Sequence, residues 1–120
     1  MSKTVLVVED NAFLAKMYRS LLKRMELHHL VAETGQQAID LAAETPPDLV
    51  IMDIVLPDRS GIETTHALRM LPGLENVPVI AVSTQEEQDA MEEGNGATFN
   101  ARLTKPVQLE TLKGVIGDFL

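Results

Sequence analysis

The run Leu49-Val50-Ile51-Met52-Asp53-Ile54-Val55-Leu56-Pro57 decides the fold. Its first four residues are all apolar, with no polar residue alternating between them. That is the pattern of a strand covered on both faces rather than one lying on a half-exposed sheet. An aspartate follows at once, and the proline four residues later stops the strand from continuing. Two more runs, Val5-Leu6-Val7-Val8 upstream and Val79-Ile80-Ala81-Val82 downstream, repeat the pattern. His28-His29-Leu30-Val31-Ala32 and Phe99-Asn100-Ala101-Arg102-Leu103 are weaker strands whose mixed polarity suits the sheet edges.

Helix-period segments lie between these runs. Leu14, Met17, Leu21 and Met25 recur at spacings of three and four, as do Leu109, Leu112, Ile116 and Phe119 near the end. Thr34 with Gln37, and Ser60 with Glu63, have the spacing of capping boxes that open the second and third helices. Gly114 and Gly117 weaken the fifth helix by about 1 kcal/mol each relative to alanine, unless close packing requires them. Strands alternating with helices predict an α/β fold with a five-stranded parallel sheet. Right-handed crossovers favour the flavodoxin-like, doubly wound (βα)5 arrangement, strand order 2-1-3-4-5. The expected organisation is a single domain over residues 1–120, with no output domain after the fifth helix.

Composition narrows the function. The chain has 120 residues, 45% of them hydrophobic, enough for a core without staples. It has no cysteine, which excludes disulfides and thiolate sites and suits a reducing cytoplasm. No signal-peptide pattern opens it, and no apolar run approaches the ~20 residues of a membrane span, so no membrane insertion is expected. A net charge of -8 and few aromatics argue against nucleic acid as a partner.

In a sheet of this kind, ligands sit beyond the carboxyl ends of the strands, where strand order reverses. The residues there are Glu9 and Asp10 after the first strand, Asp53 after the third, Ser83 and Thr84 after the fourth, and Lys105 after the fifth. Three carboxylates brought together repel one another, and a hard divalent cation relieves that repulsion. Mg²⁺ is typically held by one or two carboxylates plus a phosphate, so the set resembles half a site that a phosphoryl group would complete. Asp53 could then serve as a carboxylate nucleophile, with Lys105 and the metal neutralising the transferred group.

Four stretches carry a family resemblance: Val7-Val8-Glu9-Asp10-Asn11, Met52-Asp53-Ile54-Val55-Leu56-Pro57 with Gly61, Pro78-Val79-Ile80-Ala81-Val82-Ser83, and Lys105-Pro106. In this order and at these separations, the chain resembles the receiver domain of two-component response regulators over essentially its full length. The resemblance implies a phosphoprotein of signal transduction in which Asp53 is the phosphoacceptor. It implies Mg²⁺ or Mn²⁺ held by Asp10, Asp53 and the backbone carbonyl of Val55, with Glu9 acting through water. Ser83 is then the switch hydroxyl, Lys105 pairs with Asp53 or its phosphate, and Lys105-Pro106 is a cis bond. The implied partners are a sensor histidine kinase or a histidine phosphotransfer protein, as in a phosphorelay, and a downstream target. The target is expected on the face of helix 4, strand 5 and helix 5, through which the chain could also form a dimer. Such a protein catalyses its own aspartyl phosphorylation and dephosphorylation, but it is not a turnover enzyme on a metabolite.

Some positions depart from that pattern or allow a second reading. Arg102 stands where most receivers carry Tyr or Phe, and Thr98 where a glycine is common. Thr84 is larger than the usual Ala or Gly, and Val55 offers no polar group to orient water, which implies slow autodephosphorylation. Ser83 and Glu86 also fit a capping box for the fourth helix, and Asp10 or Asn11 fits a cap for the first. That fourth helix, from Gln85 to Glu93, has only Ala90 and Met91 as apolar residues among Glu86, Glu87, Asp89, Glu92 and Glu93. It reads either as a solvated face or as a loosely packed acidic surface for partners with basic patches. A phosphorylation-independent receiver-like binding module is the main alternative, but degenerate receivers typically lose part of the acid, Ser and Lys set kept here. An aspartate-nucleophile phosphatase needs a second Asp where Val55 stands. A dinucleotide-binding protein would show a Gly-rich or hydroxyl-rich turn after the first strand.

Overall fold

The computed structural model describes residues 3–91 and 99–120. Five strands, β1 (Thr4–Val8), β2 (His28–Ala32), β3 (Leu49–Asp53), β4 (Val79–Ser83) and β5 (Ala101–Thr104), alternate with five helices. The helices are α1 (Ala12–Arg24), α2 (Gly35–Glu44), α3 (Gly61–Arg69), α4 (Gln85–Met91) and α5 (Leu109–Phe119). The strands form one parallel sheet in the order β2-β1-β3-β4-β5, as expected. Glu92, Glu93 and Thr98 lie outside the described residues.

The unbroken apolar runs have the physical cause inferred for them. Alternate side chains of a strand point to opposite faces. Leu6, Val8, Val50 and Met52 join Ala38, Ala42 and Leu68 of α2 and α3 in one core. Val5, Val7, Leu49 and Ile51 join Tyr18, Leu22, Leu112 and Ile116 of α1 and α5 in another. Each face therefore demands an apolar side chain, and every residue of β3 and β4 is buried.

Some details differ from the sequence reading. The inward stripe of α1 is Ala15, Tyr18, Leu21 and Leu22, a rotation from the Leu14, Met17, Leu21, Met25 set. Leu14 and Met25 pack only at its margin. Strand β5 begins two residues later than the pattern suggested. Asn100 spends its side-chain oxygen on the Val79 N–H (2.9 Å) and on Arg69 (2.8 Å), turning the chain into the strand. Phe99 packs into the core instead of pairing.

The glycines of α5 are not there for packing, because a Cβ at Gly114 or Gly117 would meet nothing within 4 Å. Gly114→Ala and Gly117→Ala should each stabilise the fold by about 0.5–1 kcal/mol, read as a rise in the urea midpoint at unchanged slope.

Candidate phosphoacceptor and metal site

β1 and β3 are neighbours in the sheet while their helices lie on opposite faces, which opens a crevice at their carboxyl ends. Carboxylate oxygens of Glu9, Asp10 and Asp53 all come within 4.8 Å of one another there. Glu9 and Asp53 are buried, and Asp10 is exposed. Asn11, rather than Asp10, caps α1, with its Oδ1 accepting from Leu14 N–H at 3.0 Å, so Asp10 is free of that duty. The Asn11 N–H donates to Glu9 Oε2 at 3.1 Å.

Lys105 reaches in from the end of β5, its Nζ 3.3 Å from Asp53 Oδ1. The same oxygen accepts from Val55 N–H at 3.3 Å. The Lys105-Pro106 bond is cis. Ser83, the last residue of β4, is fully buried, and its Oγ has no hydrogen-bond partner among the described residues. Leaving a buried hydroxyl unmatched costs about 1–3 kcal/mol, so Ser83 holds an unused donor at the end of the strand next to β3.

Burial pushes the Glu9 carboxyl up to about 7, and the charge of Asp53 adds to that, while the Asn11 N–H and Lys105 pull it back. Among the described residues no donor reaches Glu9 Oε1, and the side-chain contact with Asp53 raises the Glu9 carboxyl further. The donor set is therefore all oxygen and clustered. It fits a hard divalent ion such as Mg²⁺ or Mn²⁺ and does not discriminate between them.

Three neighbours of the site have contacts that the sequence reading did not assign to them. The fourth helix is capped one residue later than the Ser83–Glu86 box: Thr84 Oγ1 accepts from Glu87 N–H and Glu87 Oε1 from Thr84 N–H, both at 3.1 Å. Ser83 belongs to β4 and faces Thr104 across the ladder, so capping no longer competes for it. Tyr18 is buried, with its hydroxyl unpartnered among the described residues. Burial, then the charges of Glu9 and Asp53, raise its pKa. Beside it an apolar cavity of about 480 Å³ opens between α1 and the β5–α5 loop, lined by Phe13, Met17, Lys105 and Pro106 among others.

Gly61 is the third. A Cβ there would strike the Asp53 carbonyl oxygen and lie 2.9 Å from the Ile54 Cα, both immovable backbone. The close approach allows Gly61 N–H to bond the Ile54 carbonyl at 2.7 Å, which ties the start of α3 to the acceptor loop. Gly61→Ala should destabilise by about 1–3 kcal/mol and weaken Mg²⁺ binding together, because the residues that must give way include Asp53 itself. A thermal melt and a Mg²⁺ titration on the same sample check both.

Among the described residues, no helix is long and apolar enough to cross a membrane. The response regulator receiver domain model matches residues 5–117. The polar-differentiation response regulators DivK of Brucella ovis and Brucella abortus are each 36% identical over 122 residues, covering 98% of this chain and 99% of theirs. The chemotaxis protein CheY4 of Vibrio cholerae superposes with a TM-score of 0.90 at 25% identity over the whole of both chains. The receiver domain of a sensor histidine kinase from Pseudomonas aeruginosa PAO1 gives 0.88 at 25% identity, covering 99% of this chain and 98% of that one. Its structure carries a magnesium ion coordinated in the active-site cleft. Receivers are parts of two-component signalling and not a family of metabolite-converting enzymes. With a family match that spans nearly every residue and the acid crevice of that family at its strand ends, this chain belongs to the response regulator receiver domains.

Proposed function

We propose that this chain is a single-domain response regulator that accepts a phosphoryl group on Asp53 from a sensor histidine kinase or a histidine phosphotransfer protein. The observation that carries this is the environment of Asp53. It is a buried carboxylate with Lys105 at 3.3 Å and two further acids gathered beside it. A structural aspartate needs the cation but not the acids.

In this reading Asp53 Oδ1 is occupied by Lys105 and Val55 N–H, and Oδ2 attacks phosphorus. The P–N bond of the donor phosphohistidine breaks as the O–P bond forms, and the departing imidazole takes a proton from solvent. Lys105 offsets the negative charge brought to the crevice. Ser83 Oγ spends its unused bond on a phosphoryl oxygen. Asp10, Asp53 and the Val55 carbonyl would hold Mg²⁺ or Mn²⁺, with Glu9 acting through water. The ion, when bound, supplies charge neutralisation for both the acids and the phosphoryl oxygens. Movement of Ser83 is passed to α4, β5 and α5, the proposed contact face for a downstream target or a second copy. The site acts in the cytoplasm.

Support for a lone receiver comes from the DivK relatives, which the chain matches almost end to end. The test is intact mass after incubation with acetyl phosphate, with and without Mg²⁺. A gain of one phosphoryl group that requires the metal is expected. If no adduct forms, and beryllofluoride with Mg²⁺ leaves the amide spectrum unmoved, the phosphorylation reading fails and a constitutive binding module takes its place.

A further inference from the structure

The loop from Ile54 to Ser60 carries the Val55 carbonyl that the proposed function assigns to the metal, so whatever fixes that loop acts on the site. Its base is closed twice, by the Val55–Ser60 bridge and by the bond from Gly61 N–H to the Ile54 carbonyl. Its tip is held from another direction. Asp58 Oδ1 accepts from Gly35 N–H at 2.8 Å, and its Oδ2 accepts from Gln36 N–H at 2.9 Å. These are the first two amides of α2, and they lie 23 and 22 residues away in sequence.

The contact is more than an ordinary helix cap, because α2 already has one. Thr34 accepts from Gln37 N–H at 3.0 Å. Asp58 takes the two amides Thr34 leaves, and a carboxylate suits the positive end of a helix. These two amides hold the Asp58 carboxyl below the usual range. The approach is too close for a side chain at Gly35, whose Cβ would lie 2.5 Å from Thr64 Oγ1 and 2.6 Å from Arg59 Cγ. Arg59 adds a bond to Gln36 Oε1 at 2.9 Å. The loop tip, α2 and α3 therefore meet at one point.

The geometry points to Asp58 as a positioning residue: its two bonds to α2 pin the acceptor loop and so keep the Val55 carbonyl where the metal needs it. This rests on the proposed phosphorylation site. Asp58 touches neither the metal nor the phosphoryl group. It removes a freedom that the loop would otherwise lose only on binding.

The experiment is a Mg²⁺ titration followed by amide shifts of Val55 and Gly61, paired with the rate of phosphorylation by acetyl phosphate and a thermal melt. Asp58→Ala should raise half-saturating Mg²⁺ about three- to tenfold, the scale of a lost charge-assisted bond, and slow phosphorylation in step. Asp58→Asn keeps one acceptor and should shift about twofold. Arg59→Ala removes the bond to Gln36 and the 3.6 Å ion pair with Asp58 but leaves both amide bonds in place, so its Mg²⁺ midpoint should move less than that of Asp58→Ala. A lowered melting temperature in Asp58→Ala with a wild-type Mg²⁺ midpoint would make Asp58 purely structural and overturn the role. If the alanine variant does not fold, the asparagine variant decides, and a wild-type midpoint there overturns it equally. A wild-type chain that neither responds to Mg²⁺ nor gains a phosphoryl group brings down the site reading, and this role with it.

Discussion

Asp53→Asn is expected to gain no phosphoryl group under conditions that label the wild-type chain. The amide oxygen is a far weaker nucleophile than a carboxylate, so the loss should be complete within detection by intact mass. The substitution is nearly isosteric, and Asp53 sits at the end of a strand with every residue buried, so the fold should survive. Two secondary effects follow. Lys105 loses the carboxylate at 3.3 Å, and Glu9 loses the negative neighbour that helps raise its pKa. The Mg²⁺-free variant should therefore melt at or above the wild-type temperature while binding Mg²⁺ more weakly. An adduct on the asparagine variant would place the acceptor elsewhere.

The second large effect is on stability against pH. Burial pushes the Glu9 carboxyl up to about 7 in the folded chain, from the ordinary value near 4.5 that it has when solvated. Between those values the native state keeps a proton that the unfolded chain has released. Stability therefore falls as pH rises through this window, the opposite of the usual salt-bridged carboxylate. The full drop is on the order of 1–3 kcal/mol. In chelator-treated protein, urea midpoints should decline from pH 5 to pH 7.5, and Glu9→Gln should flatten that decline. Mg²⁺ should restore stability at the upper end, because the ionised acid gains a partner there. A midpoint that rises across the window would show that Glu9 is not held protonated.

The sheet and the site were legible for one shared reason. Strands covered on both faces leave an unmistakable apolar run, and the residue after each run falls on the rim where ligands bind. Glu9, Asp10, Asp53, Ser83 and Lys105 were therefore picked out as candidates although 96 positions separate the first from the last, and the three acids and Lys105 do meet. What was missed turns on a shift of one or two residues, or on distant contacts. Ser83-x-x-Glu86 and Thr84-x-x-Glu87 satisfy the same capping pattern, and only the ladder partner Thr104 shows that Ser83 still belongs to the strand. On α1 an apolar count favours Leu14 and Met17, yet the single tyrosine turns inward and packs with Val5, Val7, Leu49 and Ile51 of β1 and β3. Phe99 looked like a strand residue by type, and the side chain of Asn100 decides otherwise. Asp58 has no local pattern, since its partners lie on a helix that precedes it by more than twenty residues.

β3 is the central strand, hydrogen-bonded on both sides, with no residue open to solvent. In terms of exchange with heavy water, its amides should be released only when the whole molecule opens. Asp53 is the last residue of that strand, so its carboxylate is mounted on the part of the chain that yields last. A modification there has no soft footing to deform. Whatever rearrangement it provokes must be taken up above the strand, by the loops that lead into α3, α4 and α5, and not in the floor beneath.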